Sequence, residues 1–100
     1  MIIKIIPLCL PPGEVPDLTV VRDNDALVVN GERFDFAPLQ EGQLLPKKAI
    51  ESAYIWGDVA RRNGRLEITL RVPHTSEASE AARFPEPLID PPNGVLEFAT

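Results

Sequence analysis

Cysteine is nearly absent from this chain. The one thiol, Cys9, leaves no intramolecular disulfide, which excludes a secreted disulfide scaffold and fits a reducing cytosol. Set between Leu8 and Leu10, Cys9 is expected to be buried and inert. Histidine is as scarce, with His74 alone, so the sequence offers no zinc spacing and no Ser/His/Asp or Cys/His arrangement. The glycines at 13, 31, 42, 57, 64 and 94 never gather into a phosphate-cradling loop. A surplus of base is missing too: 15 acidic and 10 basic residues give a formal net charge of −5, against a nucleic-acid partner, which needs Lys and Arg in excess on one face. Seven acids and five bases in residues 1–50, and eight and five in 51–100, show that no basic tail hides behind the average. No cofactor is expected.

What is present describes one folded domain spanning residues 1–100. An apolar share of 44% with 25% charged residues lies in the ordinary globular range, outside the collagen-like, wholly disordered and transmembrane classes. The apolar opening, Met1 to Leu10, is not read as a signal peptide, because it has no basic leader and no small-residue cleavage site. Ile2 to Ile6 is read as a strand closed by Pro7. Eleven prolines, about twice the usual share, are expected to bracket strands and fix loops, which disfavours helical bundles.

Two Asn-Gly pairs carry the fold prediction, since both central residues of a type I′ turn need positive φ. Leu18 to Phe36 reads as three short strands. Asn30-Gly31 sets Leu27 opposite Phe34 and Val28 opposite Arg33, and Leu18, Val20, Leu27, Val29, Phe34 and Phe36 then share one face. Asn63-Gly64 joins Tyr54–Arg62 to Arg65–Val72. The same geometry pairs Val59 with Ile68, Arg61 with Leu66, Gly57 with Leu70 and Ile55 with Val72, an almost wholly aliphatic face. Two such amphipathic hairpins are expected to pack on each other.

Ala37 to Ser52 is expected to be loop with a helical turn or two starting at Pro46. Thr75 to Arg83 reads as a short helix capped by Ser76, with Phe84 and the alanines at 78, 81 and 82 docking it on the sheet. Pro85 to Gly94 is loop, and Val95 to Phe98 a last strand. The predicted class is mainly β, bordering on α+β: antiparallel hairpins in a small sandwich or rolled sheet, with one short helix near the C-terminus.

Three candidate sites arise. Asp23-Asn24-Asp25 is oxygen-rich, but counting from Asp23 puts Val28 and Phe34 where a calcium loop needs glycine and glutamate; Asx-turn chemistry accounts for it. His74, after Pro73 at a strand end, is the place for a pocket if the domain binds a ligand or is an enzyme; alone, it is expected to be structural. Trp56 lies on the polar face of its hairpin, across from Arg71 and near Tyr54. A tryptophan over an arginine is a common interface element; the competing reading is that the helix or the first hairpin covers it.

Blocks of the chain in order, Leu18-Thr19-Val20, Val29-Asn30-Gly31-Glu32 with Phe34-Asp35-Phe36 and Pro38-Leu39, then Leu45-Pro46 and Ala49-Ile50, continue with Gly64 and Leu66, Thr69-Leu70, Pro73-His74 and Phe84-Pro85-Glu86-Pro87. This order resembles a family of small proteins encoded in tailed bacteriophages and prophages, commonly near tail-fibre genes. Before Leu18 the chain is longer and richer in proline than the family. The resemblance implies a minor tail component or tail-assembly accessory, in the bacterial cytoplasm or on the virion, whose partners are other phage structural or assembly proteins; it supplies no catalytic residue. A non-enzymatic interaction module is therefore the expected function, with Tyr54, Trp56 and Arg71 as its contact residues. A membrane partner is not expected. A second copy of the chain is a further expected partner, since so short a chain can complete its sheet with one.

Overall fold

The two Asn-Gly turns lie in two different sheets. In the computed structural model, which describes residues 1–98, Asn30 and Gly31 have φ of 48° and 83°, and Asn63 and Gly64 have 53° and 76°, as type I′ turns require. The first turn joins β3 (Ala26–Val29) to β4 (Glu32–Asp35), with Leu27 opposite Phe34 and Val28 opposite Arg33 as the sequence predicts. A two-residue turn at Asn24-Asp25 places β2 (Val20–Asp23) on the other side of β3. The last strand covers Gly94–Leu96, β9, rather than Val95–Phe98; it pairs with β2 and completes the sheet β4-β3-β2-β9.

The second turn joins β6 (Val59–Arg62) to β7 (Arg65–His74), flanked by β5 (Leu44–Leu45), β1 (Ile2–Cys9) and β8 (Leu88–Ile89) in the order β5-β6-β7-β1-β8. Strands β5 and β8 lie in segments read from the sequence as loop. Each has two residues, too few for alternation to show. Ile3, Ile55, Leu66, Ile68 and Leu70 of this sheet meet Val20, Leu27, Val29 and Phe36 of the other in one buried core. The fold is thus mainly β, a small sandwich with one short helix. Arg61 ties the layers together at the rim: its guanidinium donates to Asp25 Oδ2 at 3.1 Å and Phe36 O at 3.2 Å, and its Nε to Leu39 O.

Two prolines expected to end strands lie inside them. Strand β1 runs past Pro7 to Cys9, in parallel register with β7, and β7 runs past Val72 through Pro73 to His74. Backbone direction explains both. Leu10 N–H donates to His74 O, and Asp90 N–H donates to Met1 O on the opposite side of β1. Alternation then turns the even residues of β1 towards β7 and the odd ones, Pro7 among them, outward. Leu8 bonds in the pair Leu8–Pro73, so Pro73 also points its missing N–H away from this ladder. Proline is tolerated where no ladder bond is lost.

The helix is shorter than the sequence suggests. It spans Glu80–Arg83, α1, and is capped by Ser79, whose Oγ accepts from Ala82 N–H, instead of starting at Thr75 under a Ser76 cap. Thr75 to Ala78 forms a separate turn closed by Ala78 N–H on Thr75 O. Ala78 and Ala82 dock inwards, whereas Ala81 is exposed and Phe84, expected to help dock the helix, is 75% exposed. Cys9 is exposed too, not buried, because β8 borders β1 only at Ile2 and Ile3 and leaves its far edge uncovered among the described residues. The turn expected at Pro46 is a 3₁₀ turn over Lys47–Ala49.

Candidate functional site

The tryptophan site grows from a break in the second hairpin. Beyond Val59 the predicted register would pair Ile55 with Val72 and Gly57 with Leu70, but the structure pairs Ile55 with Leu70. Two extra residues are accommodated between Ile55 and Val59, where Gly57 takes φ of 77°, a left-handed conformation that favours glycine. A slip of two preserves alternation, so Ile55 and Val59 both stay in the core. The outward residues shift, however. Trp56 N–H donates to Thr69 O at 2.8 Å and Arg71 N–H to Tyr54 O at 2.7 Å, which sets Tyr54, not Trp56, directly opposite Arg71.

Trp56 and Arg71 are consequently diagonal neighbours on the outer face, within reach of long side chains. The Arg71 guanidinium lies 4.6 Å from the Trp56 ring centroid, and the Lys47 ammonium 4.0 Å. Lys47 arrives by a specific route. Its backbone N–H donates to Asp58 Oδ1 at 2.9 Å, so the bulge that presents Trp56 also docks the 3₁₀ turn carrying the second cation. Trp56 remains 41% exposed; neither the helix nor the first hairpin covers it. Each cation is worth roughly 0.5–1 kcal/mol at an exposed ring, enough to restrain the indole without hiding it.

Tyr54 faces elsewhere. Its hydroxyl donates to Asp17 O at 3.2 Å and its ring packs on the core, while Ser52 Oγ accepts from the N–H groups of Tyr54 and Ile55. The predicted trio therefore reduces to Trp56 and Arg71, joined by Lys47. Sequence reasoning missed Lys47 because its approach depends on a contact between loops; Asp58, set in the Gly57 break, was the only local signal.

His74 is 9% exposed and its Nδ1 donates to Thr75 O at 2.9 Å. Register brings Cys9 beside it on the neighbouring strand, a proximity the sequence could not show. Cys9 Sγ contacts Leu10 O at 3.8 Å, and no hydrogen bond joins thiol and imidazole among the described residues. Among those residues no group of three His, Cys, Asp or Glu side chains is placed to hold a metal ion, and no helix is long and apolar enough to cross a membrane. No family model, curated protein or solved structure matches the chain.

Proposed function

We propose that this domain is a non-enzymatic protein-interaction module of phage or prophage origin, a minor tail component or tail-assembly accessory that contacts other phage structural or assembly proteins through Trp56. The phage assignment rests on the order of sequence blocks from Leu18 to Pro87. The interaction reading rests on one observation: a large aromatic, 41% exposed, is held by Lys47 and Arg71 on the outer face of a sheet. Tryptophan and arginine are the residue types that most often dominate binding energy, and a restrained side chain loses little entropy on docking.

The test is affinity capture from a lysate in which the neighbouring genes are expressed, comparing the native chain with Trp56→Ala and following thermal unfolding of both. The expected outcome is recovery of a structural or assembly protein, with affinity lowered about 30-fold or more by the substitution, the scale of a central contact residue. Stability should fall by only about 1–2 kcal/mol, the two cation contacts. Unchanged capture, or a variant that no longer folds, overturns the reading.

A further inference from the structure

We infer that the outer edge of β1, over Ile5–Cys9, with the acidic groove beside it, is a second docking site that takes up an extended, basic peptide segment of a partner protein by strand addition. The backbone supplies the first part. Strand β8 pairs only with Ile2 and Ile3 among the described residues, and the ladder does not continue to Ile5 and Glu86. The N–H and C=O groups of Ile5 and Cys9, and the C=O of Pro7, point outward by the alternation described above. No hydrogen bond reaches any of them among the described residues. Among the described residues an edge of five residues, about 15 Å long, thus has its ladder unfilled, the condition for strand addition.

The groove supplies the second part. A cavity of about 450 Å³ adjoins this edge at Ile5, lined by Leu88, Phe98 and the exposed Phe84 together with Glu80, Glu86 and Glu97. Ile5 shares a face with whatever residue an added strand sets opposite it, so alternate side chains of that strand enter this groove. None of the three carboxylates has an ion-pair partner among the described residues. The nearest helix cation, Arg83, is turned back on Ala78 O at 2.8 and 3.0 Å. An apolar lining with three carboxylates that have no ion-pair partner among the described residues matches a segment carrying an apolar residue between two Lys or Arg at alternate positions. It disfavours an acidic partner and, because every copy of the chain has the same carboxylates, a second copy.

The isotopically labelled full chain is titrated with the peptide Thr-Lys-Thr-Val-Thr-Lys-Thr and with its counterpart carrying glutamate for both lysines. The lysine peptide should bind about tenfold more tightly, as expected of a few solvent-exposed ion pairs, and added salt should erode the difference. Its binding should slow hydrogen exchange at the Ile5 and Cys9 amides, and the triple variant Glu80→Gln, Glu86→Gln, Glu97→Gln should lose the preference with its melting temperature retained. The inference is overturned if the two peptides bind alike, if those amides exchange unchanged, or if they are protected in the free protein in step with its concentration, which would assign the edge to self-association. Trp56→Ala leaves this site untouched, so its failure and that of the tryptophan surface are separable.

Discussion

The two hairpins share the same turn chemistry and end differently. From Asn30-Gly31 the ladder runs without interruption to the Ala26–Asp35 pair, and its outer face carries Val28 and Arg33 in plain alternation. From Asn63-Gly64 it runs regularly only as far as Ala60, then slips by two residues around Gly57 before Ile55 meets Leu70. The uninterrupted hairpin builds wall; the interrupted one builds wall and presents Trp56 with a second cation. Both faces of the core survive because an even slip leaves the inward set inward.

Substitutions sharpen that contrast. The largest effect is expected where the hairpins meet: Leu27→Ala and Ile55→Ala each remove a fully buried side chain and should cost about 2–5 kcal/mol, read by denaturant unfolding. A small loss at Ile55 alone would show that the interrupted ladder does not hold its half of the core. Next is Arg61→Met, which leaves Leu39 O and the Asp25 carboxylate without this donor and Phe36 O with the Leu39 N–H alone; about 1–3 kcal/mol is expected, read by denaturant unfolding. Gly57→Ala follows. Nothing lies within 4 Å of the added carbon, so only the positive φ counts, at about 1–2 kcal/mol, and the Trp56 indole resonance should shift as the bulge relaxes. An unshifted resonance would detach the bulge from the presentation of the ring.

The smallest effect is electrostatic. Asp90, beside β8, accepts a hydrogen bond from the Met1 amine at 2.8 Å and faces Arg65 at 3.1 Å. The hydrogen bond from the amine, followed by the charges of the amine, Arg65 and Arg22, holds its carboxyl below the usual carboxylate range. A depressed acid stabilises the fold above its unfolded pKa, and that contribution is lost as pH falls through the folded value. Asp90→Asn should therefore lower stability slightly at neutral pH and flatten the acid limb of a stability-against-pH curve. An unchanged acid limb would count against the pair.

The legible parts of this fold were those governed by local backbone chemistry. Asn-Gly fixed both turns, and alternation found the faces of Val20, Leu27, Val59 and Ile68. What the sequence could not show depended on direction and distance. A proline reads as a stop unless one knows which way its missing N–H points, and at Pro7 and Pro73 it points out of the ladder. The parallel pairing of β1 with β7 joins segments more than sixty residues apart, with no local mark. Ser76 and Ser79 are equally good caps in sequence; tertiary packing of Ala78 and Ala82 selects the later one. At the candidate site, Trp56 and Arg71 were visible as outward residues of one hairpin, while Lys47 came from a loop contact and Tyr54 was drawn away by Asp17.

The chain contains a single tryptophan, so its intrinsic fluorescence reports Trp56 alone. Acrylamide quenching of that emission, measured before and after addition of the captured partner with the partner's own emission subtracted, tests the central claim directly. The free protein should be readily quenched, and the complex blue-shifted and protected. An indole already shielded in the free chain, or one equally quenched in the complex, would contradict the assignment of Trp56 as the contact residue.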